Sequence, residues 1–162
     1  MALWQFTLDL VPARAARVQG VGAIRLKPEQ LDDIKLDLSS AQEAQLFETL
    51  GRLLPERKGW TSEMRFYGDE KSNDAHVSFD RPSVATVQFR IDASDISLSL
   101  IGGICALARR FDCVLVARAG GAVIQPSCEA VMREVLQSPA TRFVRDPEAY
   151  LSEAARLDTQ DD

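Results

Sequence analysis

The chain carries one histidine, His76, and three cysteines, Cys105, Cys113 and Cys128. A single imidazole cannot supply the two or three nitrogen ligands of a hydrolytic zinc site, and the H-E-x-x-H arrangement is ruled out within one chain. As a general base, His76 needs a nucleophile and an orienting carboxylate. It alternates with Val77 and Phe79, however, and so falls on the polar face of a predicted strand, where an ordinary surface residue is expected. Each cysteine sits among apolar neighbours, in LIGGICAL, DCVLV and PSCEAV, which predicts buried and unactivated thiols. Their odd number and irregular spacing, with no C-x-x-C pair, do not make a disulfide framework.

Loops that cradle phosphate are missing as well. Gly102-Gly103 lies in an apolar run with helical spacing, where it permits close approach to a sheet, and Gly120-Gly121 separates two apolar runs as a hairpin turn would. Neither gives G-x-G-x-x-G or a P-loop. The acidic pairs Asp32-Asp33 and Asp69-Glu70 have the oxygens for a divalent cation, but surface loops carry such pairs routinely, so no metal or cofactor is assigned. Asp80, Arg90, Asp92 and Asp95 gather near predicted strand ends and are the groups that a carboxylate-based hydrolase or transferase would use.

The run from Trp60 to Glu70 points elsewhere. It sets Trp60, Phe66 and Tyr67 beside Arg65 and several acids, the composition that protein interfaces favour at their centres and rims. Trp60 and Tyr67 are the expected anchors of a docking surface, and Glu63, Asp69, Glu70 and Asp74 the acids that would draw in a basic partner. Farther on, Arg142 and Arg145 flank apolar residues between Ser138 and Leu151, a stretch that reads as a clamp pinning the last helix.

The elements that must hold these residues follow from periodicity. Trp4, Phe6, Leu8 and Leu10 alternate with polar residues, which predicts a strand with one buried face, ended by Pro12. Residues 14–38 are weakly patterned and leave a strand or a loop open, with a short helix from Pro28 through Leu31 and Ile34. Ser40 and Glu43 have capping-box spacing before Ala44, Phe47, Leu50 and Leu54, predicting a helix over about 41–54. Three strands follow, at 63–67, 75–80 and 84–91, each with a wet face, so an antiparallel meander is expected. Ser94 or Asp95 is the expected cap of a helix through Ile96, Leu100, Ile104, Leu107 and Phe111. The uninterrupted apolar run 113–117 predicts a strand covered on both faces, turning into Val123-Ile124. A helix from Ser127 and a short last helix from about Asp146, with Pro147 in its first turn, complete the chain. The order β-α-β-β-β-α-β-β-α-α predicts an α+β fold with a largely antiparallel sheet of five to six strands and helices on one face.

At 162 residues the chain fits one domain, expected over 1–157 with a polar tail at 158–162. With 46% hydrophobic and 27% charged residues it is neither a disordered tail nor a membrane protein by composition. A net charge of -5 has the wrong sign for holding nucleic acid by phosphate neutralisation. Residues 60–104 hold seven acidic residues against four basic ones, which suits a basic partner. The opening MALWQFTLDL has no basic residue before its apolar stretch and carries Asp9 within it, so it does not read as a secretory signal, and a cytoplasmic location is expected.

Taken together, Leu3-Trp4-x-Phe6, the Trp60–Gly68 segment with its acidic turn, Phe89-Arg-Ile-Asp92 and the ending Arg142-Phe-Val-Arg-Asp-Pro-Glu-Ala-Tyr-Leu151 resemble small bacterial α+β proteins, similar in kind to the immunity proteins of toxin systems. That resemblance implies a protein that binds and blocks a cognate effector, with no catalysis and no cofactor. The alternatives are a carboxylate-based enzyme and an assembly or structural subunit.

Overall fold

The computed structural model describes residues 2–18, 21–59 and 61–160. In chain order they form β1 (Gln5–Pro12), a 3-10 turn (Ala13–Ala15), β2 (Arg17–Val18), β3 (Val21–Gly22), α1 (Pro28–Asp33), α2 (Ser40–Leu53), β4 (Glu56–Arg57) and β5 (Met64–Gly68). Then come β6 (Asp74–Asp80), β7 (Ser83–Asp92), α3 (Leu98–Arg110), β8 (Cys113–Ala117), β9 (Val123–Ile124), α4 (Cys128–Gln137), α5 (Pro139–Arg145) and α6 (Pro147–Gln160). Seven strands form one sheet in the order β4-β5-β6-β7-β1-β8-β9, while β2 and β3 pair separately. Every pairing is antiparallel, as the half-wet strand patterns predict. The strand count exceeds the expected five to six because β4 has two residues, too few to show a period. For the same reason the expected element order lacks β2, β3 and β4, and it also omits α1 and one of the last helices.

The main core lies on one face of the sheet. Phe6, Leu8 and Leu10 of β1 join Val77, Phe89, Ile91 and Leu115 beneath Leu46 and Leu50 of α2, Ile101, Ile104 and Leu107 of α3, and Val131 and Val135 of α4. Burying each of these large side chains contributes roughly 1.5–3 kcal/mol. Gly103 is needed where α3 crosses α2, since a Cβ there would lie 2.2 Å from Leu53 Cδ2. The close approach this glycine permits is therefore to a helix and not to the sheet.

Helices are not confined to that face. Val11, Val114 and Val116 point the other way and pack with Ala16, Leu26 and Leu31, so α1 and the weakly patterned stretch before it build a second, smaller core. β8 divides its side chains between the two cores, as its uninterrupted apolar run predicts. The one-face expectation for β1 fails for the same geometric reason. With strands hydrogen-bonded on both edges and neighbours on both faces, its polar residues Gln5, Thr7 and Asp9 are buried too, at 3, 5 and 9% exposure. Trp4 lies outside the strand and is exposed, its Nε1 donating to Lys71 O at 3.1 Å.

Caps differ from expectation by a few residues where several Ser and Asp stand together. Ser39, not Ser40, caps α2, in a box with Gln42. Glu43 is thereby released to accept from Val84 N at 2.9 Å, beside the bulge between Ser78 and Phe79. Ser97, not Ser94 or Asp95, caps α3. The expected clamp at 138–151 is a helix, a break and a helix: Ser138 caps α5, Thr141 Oγ1 donates to Val135 O at 2.6 Å, and α6 then runs to Gln160 through part of the expected polar tail. No helix among the described residues is long and apolar enough to cross a membrane.

Cys105 and Cys113 are buried, and burial pushes both thiols up to about 11, but Cys128 opens α4 and is exposed, against the expectation of three buried thiols. One thiol per chain should therefore react quickly with Ellman's reagent in the folded protein and the other two only after unfolding in guanidinium. Rapid native reaction of all three would mean that the α3–α4 packing is wrong.

Candidate functional site: the polar face of the sheet

Alternation places a continuous polar surface on the sheet face opposite the main core. The register sets Asp74, His76 and Ser78 of β6 directly across from Arg90, Gln88 and Thr86 of β7. Gln88 and Arg90 in turn stand across from Asp9 and Thr7 of β1. β5 contributes Phe66, paired with His76, and β4 contributes Arg57. Opposite charges on adjacent strands meet at cross-strand spacing, which makes pairs where isolated charges would be costly.

Asp74 is the centre of this surface, with a side chain at 0% exposure. Arg90 grips it with both arms of its guanidinium, Nε donating to Oδ1 at 2.7 Å and Nη2 to Oδ2. Arg57 Nη2 lies 3.4 Å and His76 Nε2 2.9 Å from the same Oδ2. Burial by itself raises this carboxyl, but the hydrogen bonds and charge of Arg90 and His76 outweigh it and hold Asp74 below the usual carboxylate value. His76 Nε2 is also 3.0 Å from Arg90 Nη2, so this one nitrogen either donates to Asp74 or accepts from Arg90, and cannot do both. Its ring packs edge-on against Phe66, centroids 5.1 Å apart, and Arg57 stacks over Phe66 at 4.9 Å. The surface position expected for His76 is thus a half-buried place in an ion network.

A second polar group adjoins. Gln88 Nε2 donates to Asp9 Oδ1 at 3.0 Å, while Arg118 sets Nε 3.5 Å from Asp9 Oδ2 and Nη2 2.9 Å from Asp32 Oδ1. Burial dominates here: it raises Asp9 against the opposing pull of Gln88 and Arg118. A cleft of about 150 Å³ opens between the two groups, lined by Asp9, Asp32, His76, Gln88 and Arg118. Among the described residues no cluster of three or more His, Cys, Asp or Glu is placed to hold a metal ion.

The residues predicted for a docking surface are divided by the fold. Glu63, Asp69 and Glu70 are exposed. The turn carrying Asp69 and Glu70 is fastened to β1, since Gln5 Nε2 donates to Glu70 O at 3.0 Å and to Ser72 O at 2.8 Å. Two positions need correction. Tyr67 is 1% exposed and points into the main core because it alternates with Phe66, so it cannot act as a surface anchor. Asp74 is buried under Arg90 and Arg57 and attracts nothing from solvent. Trp60 lies outside the described residues. Nor do the four groups of the enzyme reading converge: Asp80 pairs with Lys35, Arg90 with Asp74, Asp92 Oδ1 accepts from Ser94 N at 2.9 Å, and Asp95 is exposed. The Asp9–Gln88–Arg118 group and the contacts between Asp74, His76 and Arg90 were missed. Opposed charges at alternate positions of neighbouring strands were the available signal, and they become legible once the register is known.

Asp74→Asn should cost about 2–4 kcal/mol at pH 7, because it leaves Arg90 half-buried without its counter-charge. The stability that Asp74 supplies is present above a carboxylate value of about 4 and is lost as pH falls through its lower folded value. Asp9 has the opposite sign, since its raised folded value makes the native state lose stability as pH rises from about 4 through that value. Urea unfolding across this range should find Asp9→Asn gaining on the wild type as pH rises and Asp74→Asn losing ground. Parallel curves for both variants would refute the opposite roles assigned to the two carboxylates.

Comparison of the chain with protein-family models, with curated proteins and with solved structures returns no match, so its function rests on this geometry.

Proposed function

We propose that the chain is a non-catalytic, cytoplasmic binding protein that neutralises a protein partner by stoichiometric occlusion, as an immunity protein does for a cognate bacterial toxin. The observation that carries this reading is that the charged groups of the polar face are paired with one another. Asp74 is taken by Arg90, Arg57 and His76, and Asp9 by Gln88 and Arg118. That leaves a pre-ordered polar surface whose described carboxylates, Asp74 and Asp9, are already held by neighbouring side chains. Glu63, Asp69 and Glu70 stay exposed around it, and the fastening of the acidic turn to Trp4 and Gln5 lowers the entropy lost when a basic partner docks.

A second reading, a hydrolase or transferase using a carboxylate, is favoured by one observation: Asp9, its carboxyl raised by burial, faces a cleft shared with His76 and Arg118. Hydrolysis of generic ester, phosphoester or glycoside substrates that disappears in Asp9→Asn would move the assignment there.

The decisive experiment expresses the open reading frame that adjoins this gene in its genome, with and without this chain. Growth arrest relieved by co-expression, with the two products co-purifying in a fixed ratio, is the expected result. The double variant Asp69→Lys, Glu70→Lys should then slow association at least about tenfold at low salt, and Trp60→Ala should weaken binding, while Lys27→Glu leaves both unchanged. Toxicity that the chain fails to relieve, or equal small effects at all these positions, would sink the reading.

A further inference from the structure

A larger cavity lies on the other side of Arg118, between the turn joining β8 to β9 and the start of α1. It measures about 460 Å³, within the range of roughly 300–1,000 Å³ typical of small-molecule sites. The floor is apolar, made by Leu26 and Leu31 of the second core. Three cations, Arg25, Lys27 and Arg118, line it, and no acidic residue does. Arg118 is matched from outside by Asp32 and Asp9, but Arg25 and Lys27 have no carboxylate partner among the described residues. Two unmatched positive charges thus share one concave site in a chain whose net charge is -5.

The walls are fixed without any occupant. Leu26 N donates to Gly121 O at 2.9 Å, Gly121 N donates to Ala117 O at 2.9 Å, and Arg25 bridges to Ala122. Gly121, at φ +73°, allows this contact, because a Cβ there would lie 2.0 Å from Leu26 O. Arg25 Nη1 donates to Gly120 O at 3.1 Å, which places the guanidinium at the turn and leaves its other N–H groups for a ligand.

We propose that this cavity binds a small organic anion, a carboxylate or a phosphate monoester carried on a short apolar body, with Arg25 and Lys27 holding the anion and Leu26 and Leu31 the apolar part. A planar guanidinium matches either anion through paired N–H donors, and the ammonium adds charge without a fixed direction. The site is independent of any protein partner.

The test is an amide-shift NMR titration of the full chain with butyl phosphate and with pentanoate, and with butanol and butylammonium as controls. Saturable shifts centred on Leu26, Gly120 and Gly121 are expected with at least one of the two anions, weakening as salt rises. The tighter of the two decides between phosphate ester and carboxylate. Orthophosphate should bind more weakly than butyl phosphate, since it cannot use the apolar floor. The double variant Arg25→Gln, Lys27→Gln changes two exposed side chains and should fold normally while losing at least about tenfold in affinity. Equal affinity in that variant, equal binding of butanol or butylammonium, shifts centred elsewhere, or no saturable shift with either anion would overturn the proposal.

Discussion

The rest of the molecule is arranged around β1, which is hydrogen-bonded along both edges and buried on both faces. A central strand of a two-sided sheet usually reads as apolar throughout. This one carries Gln5, Thr7 and Asp9 on its second face, and each buried polar group must find a partner or cost several kcal/mol. The neighbouring segments supply those partners. Gln5 holds the turn between β5 and β6, Asp9 gathers Gln88 and Arg118, and Arg118 then reaches Asp32 just beyond the second core. The polar inventory of one strand thus fixes where a loop, a turn and a helix must lie.

The ion network one strand further out follows the same logic at higher stakes. A carboxylate with no exposed side-chain surface is tolerable because four nitrogen groups approach it, and a guanidinium half out of water is tolerable because that carboxylate is there. Such a cluster adds little net stability over well-packed apolar residues, but it penalises a slip of register between β6 and β7, since a shift of one residue would bury Asp74 against Phe89. Specific pairing is what this arrangement secures.

Much of this was legible in the sequence wherever one period held for four residues or more. The strands expected at 75–80 and 84–91, the helix at about 41–54 and the two-faced run at 113–117 lie within a residue or two of β6, β7, α2 and β8. What failed shares one cause, namely that a period shows which residues lie on one face but not what covers the other. Hence the burial of Gln5 and Asp9 was invisible, as was the small core built around Ala16, Leu26 and Leu31, whose apolar members follow no regular spacing. The docking residues were misjudged in the same way: Tyr67 and Phe66 look alike in sequence, and only the register sends one into the main core and the other beneath Arg57. Cap positions were blurred because Ser39 and Ser40, or Ser94 and Ser97, are chemically equal until packing selects one.

The last helix obeys none of these constraints. From Pro147 to Thr159 the side chains of α6 are exposed apart from Tyr150, whose ring meets Phe143 edge-on at 5.8 Å, and its principal neighbour is α5. Detaching it would uncover little apolar surface, so it can open and re-form without the sheet taking part. The cooperative unit of this fold therefore ends near Asp146, and α6 behaves as a separate, low-energy appendage. Its fourteen residues can exchange their amide protons, or be clipped by a protease, on a timescale unrelated to global unfolding.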